Sequence, residues 1–360
     1  MTRKPTKPTT LSEVAVRAGV SIATASKALN DRHDVGSQTR VRVQQTAQEM
    51  GFQPNVIARG LTSGRSRTVG LLTGELDSRF SVPLLRGIEN TLGAGEMSVL
   101  LCDARGDAIR EQHYLRTLMA RQVDGLIVMG QNTNPRPSVS DGATVPVLYA
   151  YGPSDDPSDV SFVPDDRGGG RLAAEHLIAL GRHRIAHISG PEAFQASHDR
   201  TAGVVEALDA AGLVLAGATR HGDWSQRWGR QATEMLLVGG AEIDAIFCAS
   251  DQIATGASET LYDHGIRVPE DVALVGFDNW KVFSTESRPP LTTVDMNLDQ
   301  LGAAVARHLL IALDRGIDAG THRQPCRLVV RESTALTRPP ASGRSVPVAA
   351  RRQRRARPGP

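Results

Sequence analysis

The spacing of apolar residues predicts two short helices near the start of the chain. The first carries an apolar stripe at helical intervals, formed by Leu11, Val14, Ala15 and Ala18. Thr10 and Glu13 have the spacing of a capping box, in which each side chain accepts a hydrogen bond from the other residue's backbone amide. Gly19 ends this helix where a left-handed backbone is needed, and Ser21 can cap a second helix. The pattern is that of a helix-turn-helix.

The second helix has one face that is predicted to be buried and one that is suited to reading DNA. Ala25 and Ala28 point inward, and Ala15 is small enough to allow the two helices to cross closely. The outward positions, with one residue just beyond the helix, are Ile22, Ala23, Ser26, Lys27 and Asn30. Such a face can enter a major groove and meet base edges. An ordinary capped helix pair in an all-α domain would show the same pattern.

A third helix follows, and after it a short segment that can form a helix. The third is predicted to begin near Ser37 and to end at Gly51, with buried positions at Val43, Ala47 and Met50. Asn55 can then cap a helix over residues 56–61, but six residues are too few to stay helical in water unaided. We therefore expect this segment to be helical only when something holds it, which suits an element that couples two domains. A plain flexible tether is the other interpretation.

From Arg67 the pattern changes to alternating strands and helices. Strand-like runs are predicted at Thr68–Thr73, Ser98–Cys102, Gly125–Met129, Val145–Ala150, Ile185–Ser189, Ala245–Ala249, Val272–Phe277 and Arg327–Val330. Helical runs are predicted around 83–93, 108–121, 168–180, 198–211, 225–238, 252–264 and 298–314. This alternation predicts two doubly wound parallel sheets flanked by helices.

Polar residues cluster where the predicted strands end, which is where such sheets bind ligands. They are Asp77–Phe80, Asp103, Gln131–Asn132, Asp165–Asp166, Ser250–Asp251 and Asp278–Asn279. Arg200 and Trp224 are expected on the same side of the core. An aromatic face with carboxylates and an arginine nearby can hold a polyhydroxylated ring. The other interpretation is that an Asp at a strand end caps a helix or shapes a turn.

The composition excludes some classes of protein and favours others. The 360 residues suffice for two or three domains, and the net charge of +2 excludes a general polycation. Basic residues are concentrated in the first 67 residues and again in the tail, which suits contact with phosphates. Three scattered cysteines favour a reducing compartment and argue against a disulfide framework or a zinc site. With no membrane span or signal peptide apparent, we expect a cytoplasmic protein with no cofactor and no metal.

The chain resembles the LacI/GalR family of bacterial transcriptional regulators over residues 9 to 337. The most specific segments are TLSEVAVRAGVSIATASKALN, TRVRVQQTAQEMGFQPNVIARGL and SRTVGLL, and the core adds HLIALGRHRIAHISGP, FCASDQIATGA, VALVGFDNW and PPLTTVDMN. The combination is far more specific than any single motif.

The resemblance implies how DNA is bound. The second helix lies in the major groove, where Ile22, Ala23 and Lys27 match the main base-reading positions, helped by Thr24, Ser26 and Asn30. Residues Asn55 to Leu61 form a hinge helix that pairs across a dimer in the minor groove, with Ala58 and Leu61 at the central step. Arg40 and Arg59, together with Arg32, are expected to contact phosphates.

The resemblance also implies a core like that of periplasmic sugar-binding proteins. We expect a disordered arm over 1–9, a headpiece over 10–53, a hinge and linker over 54–66, a core over 67–337 and a disordered basic tail over 338–360. Within the core, one subdomain comprises 67–163 and 296–324, and the other comprises 164–295 and 325–337. Effector-binding positions carried over by motif are Arg200, Trp224, Ser250 and Asp278, together with Phe80 and Asp165. Ser250 and Met296 replace the Asn and Gln of some relatives, which leaves the particular sugar undefined.

These observations predict a homodimeric repressor of carbohydrate-utilisation genes that binds a palindromic operator and is controlled by a small sugar. The same regulator class could instead respond to a nucleoside or to a phosphoprotein co-regulator. A transport solute-binding protein would not need the headpiece. An enzyme is not expected, because the chain has no GxxxxGK[ST], GxSxG or HExxH motif.

Overall fold

A computed structural model describes residues 9–30, 34–52 and 64–335. It divides into two units, Met1–Arg67 and Thr68–Pro360, which are described separately. Residues 1–8 of the predicted arm, the basic tail and most of the hinge segment lie outside the described residues. The same is true of five predicted DNA-contacting residues: Arg32, Asn55, Ala58, Arg59 and Leu61.

The first unit contains the three predicted helices, α1 (Leu11–Ala18), α2 (Ile22–Leu29) and α3 (Ser37–Glu49). The capping box is formed, since the amide of Thr10 donates to Glu13 Oε2 at 2.7 Å and the amide of Glu13 donates to Thr10 Oγ1 at 3.3 Å. Gly19 has φ of 65°, in the left-handed region that follows a helix end. Ser21 caps α2 by accepting from the amide of Thr24. The helix-turn-helix prediction is confirmed.

A small apolar core holds these helices together. Its buried members are Val14, Ala15, Ala18, Ala25, Ala28, Val35, Val43 and Ala47. Met50 and Phe52 pack against this cluster from half-buried positions, so Met50 is less enclosed than the sequence pattern predicts. Most of these side chains are alanine or valine, and the unit therefore buries little apolar area and has limited stability of its own.

The second unit is built on two six-stranded sheets. The first has the order β11-β5-β4-β3-β1-β2 and is parallel throughout. Its strands are β1 (Thr68–Thr73), β2 (Ser98–Asp103), β3 (Gly125–Met129), β4 (Val147–Ala150), β5 (Val160–Pro164) and β11 (Gly320–Gln324). The helices associated with this sheet are α4 (Ser81–Ala94), α5 (Ala108–Ala120) and α11 (Leu298–Arg315). We call this sheet and its helices the first lobe.

The second sheet has the order β12-β10-β9-β8-β6-β7. Its strands are β6 (Ile185–Ser189), β7 (Arg220–His221), β8 (Ala245–Cys248), β9 (Ala273–Phe277), β10 (Thr292–Asp295) and β12 (Arg327–Val329). Its helices are α6 (Asp166–Ala179), α7 (Gln195–Ala210), α8 (Gln226–Val238), α9 (Asp251–Asp263) and the short α10 (Lys281–Ser284). We call this sheet and its helices the second lobe. The chain passes between the lobes after β5, after β10 and after β11.

The prediction of two doubly wound sheets is confirmed, with two differences. Strand β12 runs antiparallel to β10, so the second sheet is not wholly parallel. Strands β5, β10 and β11, and the two-residue β7, have no counterpart among the predicted strand-like runs. The sequence of β11, GTHRQ, is polar because this strand lies at a sheet edge and is mostly exposed, which hides it from a search for apolar runs.

Helices α6 and α7 approach so closely that only glycine fits at their crossing. A Cβ atom on Gly170 would lie 2.1 Å from the carbonyl oxygen of Arg200, and one on Gly203 would lie 1.9 Å from the carbonyl oxygen of Arg167. This contact fixes the start of α7, and with it Arg200, against the start of α6. Among the helices formed by the described residues, none has both the length and the apolar character needed to span a bilayer.

Candidate functional site

The outward face of α2 is placed as the sequence predicts. Ile22 is 53% exposed, and Ala23, Lys27 and Asn30 are also exposed, whereas Ala25 is fully buried on the opposite face. Ser21 holds the start of the helix and the small apolar core holds its inner side. The face is therefore supported from behind by packed residues and is open to a partner.

The polar side chains of this face already have local partners. Lys27 Nζ lies 2.5 Å from Asp34 Oδ2, in an exposed ion pair. Asn30 Nδ2 donates to the carbonyl oxygen of Ser26 at 2.9 Å, and Thr24 Oγ1 lies 2.9 Å from the hydroxyl of Ser21. Ser26 and Thr24 are half-buried. A base contact by Lys27 would replace a solvent-screened ion pair, which stabilises little.

Arg40 lies on α3 rather than on α2. It is half-buried, and its Nη2 donates to the carbonyl oxygen of Val35 at 3.3 Å. This contact holds the guanidinium next to Val35, shortly before α3 begins. Such a position suits a phosphate contact better than a base contact.

In the second unit, the candidate site is centred on the carboxylate of Asp278, which follows β9 and lies 3.5 Å from the predicted ligand residue Arg200. The Asp278 side chain is only 3% exposed, and its backbone has φ of 101°, a strained value for a residue other than glycine. Asp251 holds this loop, since its Oδ2 accepts from the amide of Trp280 at 2.7 Å and its Oδ1 accepts from Thr293 Oγ1 at 2.6 Å. Burial and the charge of Asp278 raise the pKa of Asp251 well above its ordinary value.

Arg200, on α7, is the buried cation of this site. Its Nε donates to Asp166 Oδ1 at 2.8 Å, and its Nη1 donates to the carbonyl oxygen of Ala249 at 2.6 Å. Nη1 also lies 3.5 Å from Asp278 Oδ1, and the guanidinium sits 3.7 Å above the ring of Phe277. Burial raises the pKa of Asp166 to about 6, against the opposing effect of Arg200.

Aromatic side chains border these charges. The ring of Trp224 lies 5.7 Å from the guanidinium carbon of Arg200 and meets the ring of Phe194 edge-on at 6.0 Å. Trp224 is half-buried, so part of its side chain is exposed. On the first lobe, the rings of Phe80 and Tyr151 lie 5.2 Å apart. Burial raises the pKa of Tyr151, which keeps its hydroxyl protonated.

Ser250 and Asp165 act as helix caps, the other interpretation that the sequence allows for residues at strand ends. The hydroxyl of Ser250 accepts from the amide of Ile253 at 3.2 Å, and Ser250 is fully buried. Asp165 Oδ1 accepts from the amide of Gly168 at 3.0 Å. Asp165 also lines a charged crevice of about 270 Å³, whose other lining residues are Arg167, Gly168, Arg171, Asp199, Glu206 and Arg323. None of these residues is among those described above around Asp278.

Arg79 is a member of the site that sequence reasoning did not single out. It comes from the loop after β1, and its Nη2 donates to Asp278 Oδ2 at 2.8 Å across the cleft between the lobes. Its Nη1 donates to Gln252 Oε1 at 3.3 Å. The segment Asp77–Phe80 is recognisable as a strand-end loop, but nothing in it indicates which carboxylate an arginine there would reach.

The described residues offer no metal centre: no group of three or more His, Cys, Asp or Glu side chains is placed to hold an ion. Cys102, Cys248 and Cys326 are free thiols. Burial raises the pKa of Cys248 and Cys326, so neither is a reactive thiolate at neutral pH.

A capped helix-turn-helix joined to a two-lobed core with polar and aromatic residues in its cleft defines a DNA-binding regulator with a ligand-sensing core. Residues 10–55 match the family model described as "Bacterial regulatory proteins, lacI family", and residues 174–334 match "Periplasmic binding protein-like domain". The ribose operon repressor of Halalkalibacterium halodurans is 33% identical over 330 residues, which cover 91% of this chain and 97% of that protein. The chain therefore belongs to the lacI family of bacterial regulatory proteins.

Other relatives agree over nearly the whole length. The HTH-type transcriptional regulator CelR of Thermobifida fusca is 36% identical over 331 residues, covering 89% of this chain and 95% of that protein. The crystal structure of the Lac repressor dimer bound to operator and the anti-inducer ONPF has a TM-score of 0.73 at 30% identity, covering 91% of this chain and 99% of that one. A structure of the CelR–cellobiose complex has a TM-score of 0.63 at 29% identity, covering 90% and 99%.

Proposed function

We propose that this protein represses carbohydrate-utilisation genes by binding a palindromic operator as a homodimer, and that a small sugar in the cleft controls it. The observation that carries the sugar assignment is the setting of Asp278. Its Oδ1 is buried and accepts no hydrogen bond from the residues that the structure describes, although the Arg200 guanidinium lies nearby. A hydroxyl donor from a ligand would satisfy this oxygen.

The neighbouring side chains suit the rest of a sugar ring. Arg200 can donate to ring hydroxyls from a fixed position, since Asp166 and the carbonyl of Ala249 hold its guanidinium. The exposed part of Trp224 can pack against C–H groups, and the ring of Phe80, from the other lobe, lies 4.3 Å from the Arg79 guanidinium. Ser250 and Asp165 are assigned supporting roles, because their side chains cap the helices from which the cleft is built.

For the DNA contacts, we assign base reading to Ile22, Ala23 and Lys27 on the exposed face of α2. Thr24, Ser26, Asn30 and Arg40 are assigned to supporting base or phosphate contacts. The minor-groove contacts of a hinge helix are assigned, from the sequence alone, to Asn55, Ala58, Arg59 and Leu61. If the hinge folds only against DNA and a partner hinge, a change of angle between the lobes would alter whether the two hinges can fold. It would thereby change the affinity for the operator.

The relatives support this assignment. One is named for the ribose operon, one was solved with cellobiose, and the Lac repressor was solved as a dimer on its operator. A non-catalytic regulator in the cytoplasm fits relatives that are transcriptional repressors. The sheet memberships support core subdomains of 67–163 with 296–324 and 164–295 with 325–337.

The test is a sugar screen by thermal shift on the full chain, starting with ribose and cellobiose. A bound sugar raises the melting temperature in proportion to the logarithm of its concentration over Kd. Trp224→Ala and Asp278→Asn should abolish the shift, while Asp223→Asn, which alters an exposed carboxylate beside Trp224, should retain it. A sugar response that survives both cleft substitutions would overturn the site assignment.

Operator binding completes this test. The Trp224→Ala protein should bind DNA like the wild type but lose any response to the sugar. Gel-shift titrations with and without the sugar measure both properties on the same sample. If sugar stabilises the protein but does not change its affinity for DNA, the proposal that the cleft controls operator binding would be contradicted.

A further inference from the structure

Asn134 and Arg79, both from the first lobe, make hydrogen bonds to the second lobe. Asn134, in the loop after β3 of the first lobe, donates to the carbonyl oxygen of Ala193 at 3.1 Å and accepts from the amide of Gln195 at 2.7 Å. Arg79, from the loop after β1, forms the second contact with Asp278 and Gln252 of the second lobe. The Asn134 contact uses backbone groups at the start of α7. The Arg79 contact engages the carboxylate at the centre of the proposed sugar site.

The Arg79 guanidinium is held the way a bound cation is held. It lies 4.3 Å from the ring centroid of Phe80 and 4.6 Å from that of Trp280, while its two amino groups donate to Asp278 and Gln252. A carboxylate flanked by aromatic faces is a favourable setting for a cation. The Arg79 side chain is 23% exposed and that of Asp278 is 3% exposed, so water screens the pair only partly.

We propose that Arg79 is an internal ligand of the cleft that occupies Asp278 Oδ2, so that an effector must displace it before its hydroxyls can bind both oxygens of this carboxylate. This inference rests on the proposed function, since it concerns the same carboxylate. The contact is made between lobes, so Arg79 also holds the cleft in one arrangement until the effector breaks the pair.

Displacement is physically tolerable because neither charge is abandoned in the interior. Asp278 keeps Arg200 at 3.5 Å from its other oxygen, and Arg79 is already partly in contact with water. Part of the effector's binding free energy is therefore used to break the Arg79–Asp278 pair. Arg79 therefore lowers the apparent affinity of the cleft for a sugar and makes the lobes respond to its binding.

The inference is tested by emptying the guanidinium position and refilling it from solution. Arg79→Ala should create a saturable site for ethylguanidinium in the millimolar range, seen as a thermal shift beyond that of sodium chloride at equal concentration. The matched control is Arg86→Ala, which removes a surface guanidinium paired with Asp299 inside the first lobe. The wild type and the control should show no saturable response. Asp278→Asn in the Arg79→Ala background should remove it.

A second readout compares two substitutions at the same position and a rescue by added cation. Amide hydrogen exchange at residues 278–281 and 250–253 should quicken in Arg79→Ala, stay near wild type in Arg79→Lys, and return toward wild type with ethylguanidinium. For whichever of ribose and cellobiose binds the wild type, Arg79→Ala should bind about tenfold more tightly, the size expected for loss of one charge-assisted competitor.

The inference would be overturned by an ethylguanidinium response that is the same in Arg79→Ala and Arg86→Ala, or by unchanged exchange at both segments. Sugar binding that weakens in Arg79→Ala would show instead that Arg79 holds the sugar directly and is not its competitor. The cation experiment needs no sugar. A protein that binds ethylguanidinium as expected but no sugar would refute the proposed function and leave the internal ligand in place.

Discussion

Replacing Gly190 by alanine tests whether the position of one indole ring sets the sugar site. Gly190 follows β6, and a Cβ atom there would lie 2.3 Å from Cζ2 and 2.4 Å from Cε2 of Trp224. Carbon atoms in good contact are about 3.5–4.0 Å apart, so the ring must retreat by roughly 1 Å. Forcing a methyl group into such a space costs about 1–3 kcal/mol.

A double-mutant cycle isolates this contact. Gly190→Ala should destabilise the core by about 1–3 kcal/mol, and most of that cost should vanish when Trp224 is also replaced by alanine, because the clashing ring is gone. The free energy of unfolding is measured by urea titration of the full chain, followed by circular dichroism. A parallel cycle of Gly190 with Trp280 serves as control, since the atoms nearest the added Cβ all belong to Trp224.

The same substitution should weaken sugar binding while the indole remains present. A displacement of roughly 1 Å in a positioned group commonly lowers function by about tenfold or more, and operator affinity without sugar should not change. Additive effects of Gly190→Ala and Trp224→Ala, within about 0.5 kcal/mol, would refute the packing argument. Unchanged sugar affinity in Gly190→Ala would refute the role of the ring.

Three further predictions concern other parts of the chain. Ile22→Ala should change the bases preferred in duplexes selected from a random library, with a stability change within about 0.5 kcal/mol because Ile22 is 53% exposed; unchanged preference would count against base reading. Thr10→Ala should cost the headpiece about 1 kcal/mol by removing the cap to Glu13, measured as faster amide exchange in α1, and equal exchange would contradict it. Burial lowers the pKa of His187 to about 4 from 6.5. The stability that the neutral ring contributes is therefore present above pH 6.5 and is lost as the pH falls through 4. Between pH 6.5 and pH 4, the free energy of unfolding of His187→Gln, measured by urea titration, should fall by about 3 kcal/mol less than that of the wild type. Parallel pH profiles of the two proteins would contradict the lowered pKa.

Local signals in the sequence were sufficient to predict the headpiece. The Thr10–Glu13 spacing and Gly19 specify a cap and a helix end through contacts a few residues apart, and both are formed. Alternation of apolar runs likewise predicted the two sheets of the core. It missed β11, because an exposed edge strand has no apolar run to reveal it.

The site was less predictable because its geometry depends on distant contacts. Arg79 and Asp278 are 199 residues apart, and only the packing of the two lobes brings the guanidinium to that carboxylate. Ser250 and Asp165 illustrate the opposite difficulty. Their position at strand ends suits both a ligand contact and a helix cap, and their side chains make the cap.

The measurement that tests the account most directly is DNA selection with the full chain at moderate salt. Duplexes are recovered from a random library, and their affinity is then measured by fluorescence anisotropy against random competitor, with and without the sugar found by thermal shift. The account predicts a recovered sequence with two-fold symmetry, bound by a dimer far more tightly than competitor, and an affinity that changes with the sugar. Equal affinity for recovered and random duplexes, with or without sugar, would contradict it.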